Sequence, residues 1–125
     1  AVGIETAIGD FVNKPDGGLL VLPDATTNLH RALIIALSAR YRVPAVYAFR
    51  HIAAEGGLIS YGIDIVELFR GAATYVDRIL HGAKPADLPV QLPEKFQLAI
   101  NLKTAAAMGL KIPTSLQLTA DEMIE

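Results

Sequence analysis

The sequence predicts an α/β domain built on a mainly parallel sheet with helices on both faces. Two observations lead there. Apolar runs such as LLVL at 19–22 and VPAVYAF at 43–49 do not alternate with polar residues, and strands buried on both faces read this way. Each run ends in a polar loop, and helical text follows before the next run, the cadence of βαβ units. Ligands of open parallel sheets bind outside the carboxyl ends of the strands. The residues that matter are therefore expected at 23–28, 48–51 and 60–64.

Taken in order, the first element is a helix over 3–13. Ile4, Ile8, Phe11 and Val12 have helical spacing, and Pro15-Asp16-Gly17-Gly18 stops the pattern. An α/β domain more often opens on a strand, so the chain reads as a fragment of something longer. A strand follows at 18–22, then a helix at 26–41, a strand at 44–48 and a short helix at 50–55. Gly56-Gly57 leads into a strand at 58–61. Residues 65–80 form the best-marked helix. Ile65, Leu68, Phe69, Ala72, Val76, Ile79 and Leu80 make one apolar stripe, Asp64 and Glu67 have the form of a capping box, and His81-Gly82 supplies the stop. Residues 83–93 carry three prolines and read as an extended connection. Phe96, Leu98 and Ile100 alternate with Gln97, Ala99 and Asn101, which predicts a half-exposed strand at 95–100. Asn101 caps a short helix at 102–108, Gly109 ends it, and the tail after Pro113 holds a last helical turn or two.

Composition narrows the function classes. The 125 residues suffice for one domain with a core. A net charge of −2 argues against a partner bound through nucleic-acid phosphates. Absence of cysteine removes a disulfide framework, a thiolate metal site and a cysteine nucleophile, and fits either side of a bacterial membrane. No apolar stretch reaches the ~18 residues of a membrane span, and no signal peptide is visible. His30, His51 and His81 lack metal-ligand spacing. There is no nucleophile elbow and no phosphate-binding loop. The carboxylates Glu5, Asp10, Glu55 and Glu67 do not gather at strand ends. No catalytic set, metal site or cofactor site emerges.

Three strand ends remain as candidates for binding. Asp24, Thr26, Thr27 and Asn28 follow the first strand. They can hold a small polar or anionic ligand, or they can simply cap the next helix. Phe49, Arg50 and His51 follow the second. Phe49 can stack on a ring and Arg50 can pair with a carboxylate, or both can be ordinary core and surface residues. Ser60, Tyr61 and Gly62 end the third. Tyr61 offers an apolar body with a hydrogen-bonding tip, and Gly62 permits a turn or a close approach.

The quoted text resembles a bacterial family, the ABC-transporter substrate-binding proteins related to uptake of tryptophan and other aromatic amino acids. The matching stretches are GGLLVLPD (17–24), HRALIIALSARYRVPAVYAFR (30–50), GGLISYGID (56–64) and LFRGAATYVDRILHGAKPADLPVQLPEKFQLAINLKTAAAMGL (68–110). PTSLQLTADEMIE (113–125) is similar to the family's C-terminal tail. The resemblance implies the Rossmann-like C-terminal lobe of a type I periplasmic-binding-protein fold. It further implies an interlobe crossing near 61–64, a missing N-terminal lobe, an extracytoplasmic location and an ABC permease as partner. It carries ligand contact onto Asp24, Thr26, Phe49, Ser60 and Tyr61. The function it implies is non-catalytic delivery of a small molecule. The alternative is the sensor domain of a bacterial regulator with the same fold. By the same resemblance helix 65–80 packs on the missing lobe. In a fragment its exposed stripe is expected to pair two copies as a homodimer.

Overall fold

The structure, a computed structural model, describes residues 2–11 and 17–125. The chain divides into two compact units, one running to Gly62 and resuming at Gln97, the other comprising Ile63–Phe96.

The first unit opens with α1 (Val2–Phe11), whose Ile8 is buried. The end of the expected first helix at 12–13 and its stop at Pro15-Asp16 lie outside the described residues. Next come β1 (Leu19–Val21), α2 (Ala25–Leu29), α3 (Arg31–Tyr41), β2 (Ala45–Tyr47), α4 (Arg50–Ala54) and β3 (Ile59–Ile63). The second unit is built on α5 (Ile65–Leu80), and the chain returns through β4 (Phe96–Asn101), α6 (Leu102–Met108), α7 (Thr114–Thr119) and β5 (Glu122–Ile124).

One sheet of five strands follows chain order, β1-β2-β3-β4-β5. β1 and β2 are parallel, with Val21 opposite Tyr47; β2 and β3 are parallel, with Tyr47 opposite Ser60; β4 and β5 are parallel, with Ala99 opposite Glu122. β4 runs against β3. The Asn101 amide donates to the Leu58 carbonyl before β3, and the Asp64 amide donates to the Lys95 carbonyl beyond its other end. The α/β class and mainly parallel sheet are as the sequence predicts.

Side chains alternate between faces along each strand. Leu19, Val21, Ala45 and Tyr47 thus share a face, and they pack with Ile8 of α1, Ile34 and Leu37 of α3, and Ile52 of α4. A second cluster joins Leu58 to Ala105 and Met108 of α6. Each large side chain so buried stabilises by ~1.5–3 kcal/mol relative to exposure.

The structure corrects several expectations. The single helix at 26–41 is two, broken at His30, whose φ of −100° and ψ of 16° leave helical geometry. Thr26, Thr27 and Asn28 are weak helix formers, and α2 buries nothing that would hold it in line with α3. β4 is exposed at its start, where Phe96 is 48% exposed, but not in the expected alternation: Ala99, Ile100 and Asn101 at its end are all buried. β5 has only three residues, too few to show a period in the sequence. At α5 only half of a capping box forms. The Asp64 carboxylate accepts from the Val66 and Glu67 amides, while the Asp64 amide is taken by Lys95. A reciprocal box forms instead at Asp24 and Thr27. The proline-bearing connection contains a 3-10 turn at Pro85–Asp87.

Within the second unit α5 has the expected limits and buries none of its residues. Gly82 ends it at a φ of +100°. The Tyr75 hydroxyl donates to the Pro89 carbonyl and ties the connection to the helix. An open groove of about 460 Å³ runs between α5 and residues 91–95, lined by Leu68, Gly71, Ala72 and Tyr75 on the helix side.

Candidate functional site

Because β1, β2 and β3 are parallel, the segments that leave them emerge at one edge of the first unit. β1 ends at Val21, and Pro23-Asp24 turns the chain into α2. Asp24 caps this helix: its carboxylate accepts from the Thr26 amide at 2.7 Å, and the Thr27 hydroxyl donates to the Leu22 carbonyl at 2.8 Å. The Thr26 amide hydrogen bond holds the Asp24 carboxyl below the usual range, so it stays charged.

β2 ends at Tyr47, and Ala48-Phe49 turns the chain into α4. Phe49 stands at the N-cap, where its ring stacks on His51 with centroids 5.7 Å apart and planes inclined by 12°. Phe49 also lines a small recess with Leu22, Pro23, Thr27, Asn28 and Arg31. β3 continues past the end of β2, so Ser60 is level with Tyr47 and Tyr61 lies just beyond. Consecutive strand residues face opposite ways. Tyr61 is 59% exposed, whereas Ser60 is buried and its hydroxyl has no hydrogen-bond partner.

The edge thus gathers Asp24 and Thr26 at the end of β1 with Phe49 at the end of β2. Of the five candidates only Phe49 lines the recess; Tyr61 is on the surface, and Ser60 lies beneath it. The sequence singled out Arg50 but not its engagement. The Arg50 guanidinium forms a two-pronged pair with the Glu122 carboxylate of β5. Arg31 pairs in the same way with Glu55, at 2.7 and 3.3 Å, and donates to the Asn28 carbonyl. Sequence spacing could not announce the first pair, whose members lie 72 residues apart. Both cations are committed to partners, so what this edge offers a ligand is largely rings, hydroxyls and backbone.

A family model described as "ABC transporter substrate binding protein" matches residues 2–124. The chain belongs to the ABC transporter substrate-binding protein family. Among curated proteins none matches it. Solved structures do. An "ABC domain in complex with L-Trp" from Streptococcus pneumonia is 27% identical, with a TM-score of 0.83, over 98% of this chain and 42% of that one. A "conserved domain protein" from Vibrio cholerae O1 biovar eltor is 25% identical, with a TM-score of 0.84, over 98% of this chain and 41% of that one. A ligand-free, open substrate-binding protein with adhesive properties from Clostridium difficile shares the fold, with a TM-score of 0.69 at 19% identity. The chain spans about two fifths of the length of these proteins. No helix among its described residues is long and apolar enough to cross a membrane.

Proposed function

We propose that this chain is the C-terminal lobe of an extracytoplasmic solute-binding component of an ABC importer, and that the ligand rests on the edge formed by the ends of β1, β2 and β3. The observation that carries the reading is the gathering of Asp24, Thr26 and Phe49 at one edge, with Tyr61 exposed on the adjoining strand. Phe49 and Tyr61 supply ring faces, Thr26 a hydroxyl, and the capped turn at Asp24 a fixed backbone. The L-tryptophan bound by the pneumococcal neighbour supports an aromatic amino acid as the ligand.

The second lobe that closes over this edge comes from an N-terminal part of the same protein, and residues 61–64 carry the chain towards it. That lobe covers the apolar stripe of α5 in the intact protein. In the 125-residue chain alone the stripe pairs two copies. Non-catalytic delivery to the permease is the whole of the activity in this reading. The test is a thermal-shift screen of the intact protein with aromatic and aliphatic amino acids, aromatic acids and short fatty acids. The screen is followed by Phe49→Ala and Tyr61→Ala, each expected to weaken binding of the hit by ~1–3 kcal/mol. Unchanged affinity in both variants removes these rings from the site.

A further inference from the structure

We propose that Glu122, on the last strand, is a positioning residue for the ligand-facing edge, acting through Arg50 on the turn that carries Phe49 and His51. This rests on the solute-binding reading above and adds to it a residue outside the strand-end loops.

α4 has only five residues. A helix so short does not hold itself in water, so its place is set by what grips it. Its carboxyl end is gripped three times. The Asn101 amide group donates to the Ala53 carbonyl at 2.9 Å, the Thr104 hydroxyl donates to the Gly56 carbonyl at 3.0 Å, and Glu55 pairs with Arg31 at 2.7 Å. Its amino end is different. Phe49, at the N-cap, makes no side-chain capping bond. The charged tie there is the fork of Arg50 on Glu122. Arg50 Nε donates to one Glu122 carboxylate oxygen and Nη2 to the other, a geometry that fixes orientation as well as distance. Glu122 is itself held by the pairing of β5 with β4, opposite Ala99. β5 lies beyond β3 and β4 in the sheet, so a residue near the end of the chain reaches back to set the first turn of α4. Phe49 precedes Arg50 and stacks on His51, which follows it, so both rings move with that turn.

The test compares the chain with Glu122→Gln and with the swapped pair Arg50→Glu/Glu122→Arg. Hydrogen exchange is read at Ile52, Glu55 and Gly57, whose amides close α4 on Phe49, His51 and Ile52. Glu122→Gln is expected to speed these about tenfold and leave Ile34 of α3 unchanged, and the swap to restore them. In the intact protein, affinity for L-tryptophan and a panel of aromatic and aliphatic amino acids is measured for the same variants. Glu122→Gln is expected to weaken the best binder about three- to tenfold, with rescue by the swap. Unchanged exchange in α4, equal loosening of α3, or faster exchange with unaltered affinity each overturns the proposal. A wild-type protein that binds nothing in the panel contradicts the solute-binding reading instead, and the exchange comparison then still decides whether Glu122 holds the turn. Should the swapped pair fail to fold, Arg50→Lys, which keeps the charge and loses the fork, is expected to fall between wild type and Glu122→Gln; Arg50→Lys matching wild type would overturn the fork.

Discussion

Gly62 faces the carbonyl group of Ala48 so closely that a β-carbon at Gly62 would collide with its oxygen. β3 runs past the end of β2, and the backbone of its last turn slides against the turn that leads to Phe49. The contact locks the Tyr61 segment to the Phe49 segment. Gly62→Ala must push them apart, at a cost of ~1–3 kcal/mol typical of overpacking. Urea unfolding checks this, with Gly71→Ala as the control. Gly71 has open space around it in the middle of α5, so alanine there is expected to be neutral or to stabilise by up to ~1 kcal/mol. Equal midpoints for Gly62→Ala and wild type would contradict the contact.

Asn101 does two jobs from one buried position. Its carbonyl oxygen accepts from the Thr104 amide at 2.8 Å and caps α6, while its amide group satisfies the Ala53 carbonyl at 2.9 Å. Asn101→Ala loses a cap worth ~1 kcal/mol and leaves a carbonyl without its donor, ~1–3 kcal/mol more. The expected loss in equilibrium unfolding is roughly 2–4 kcal/mol. A loss near zero would mean that water replaces the side chain.

Much of this architecture was legible in the sequence. The buried-strand runs at 19–22 and 43–49 and the α5 stripe are long enough to show their period. Asn101 and Asp64 announce their helices as caps. What was hidden depends on partners distant in the chain. β5 is a strand because β4 pairs with it, and the end of β4 is buried on both faces, at Ala99 and Ile100, by residues distant in the chain. His30 breaks a helix whose first turn serves the strand end instead of the core. The strand-end rule pointed to Asp24, Thr26, Phe49, Ser60 and Tyr61, but it could not see that Arg50 is engaged by Glu122 or that Ser60 lies beneath the surface.

Acid should weaken the chain in a defined way. Hydrogen bonds from the Arg50 guanidinium hold the Glu122 carboxyl below its ordinary 4.5, and those from Arg31 do the same for Glu55. A carboxyl with a lowered folded pKa binds protons more readily when unfolded. Its contribution is therefore complete above about 4.5 and is lost as pH falls through the folded value. The difference in stability between wild type and Glu122→Gln is expected to narrow as pH drops below about 4.5. Denaturant titrations at a series of pH values measure it, and a difference independent of pH would contradict the pairing.

The apolar stripe of α5 predicts how the chain behaves alone. Phe69 and Leu80 are 70% and 80% exposed, and Val66, Leu68 and Val76 are exposed beside them. Apolar patches of this kind mark interfaces. Light scattering of the chain at high concentration is expected to give twice its 13.3 kDa, and Phe69→Glu to return it to one copy. A strict monomer would contradict self-association through α5.

The central claim is that the ligand sits on the shared edge where β1, β2 and β3 end. Hydrogen exchange of the intact protein, with and without the best ligand from the thermal-shift screen, tests it most directly. Slowed exchange is expected in three separate segments, 22–28, 48–51 and 59–61, with α3 and α6 unaffected. Slowing that spares those segments and falls on α3 or α6 would contradict the account.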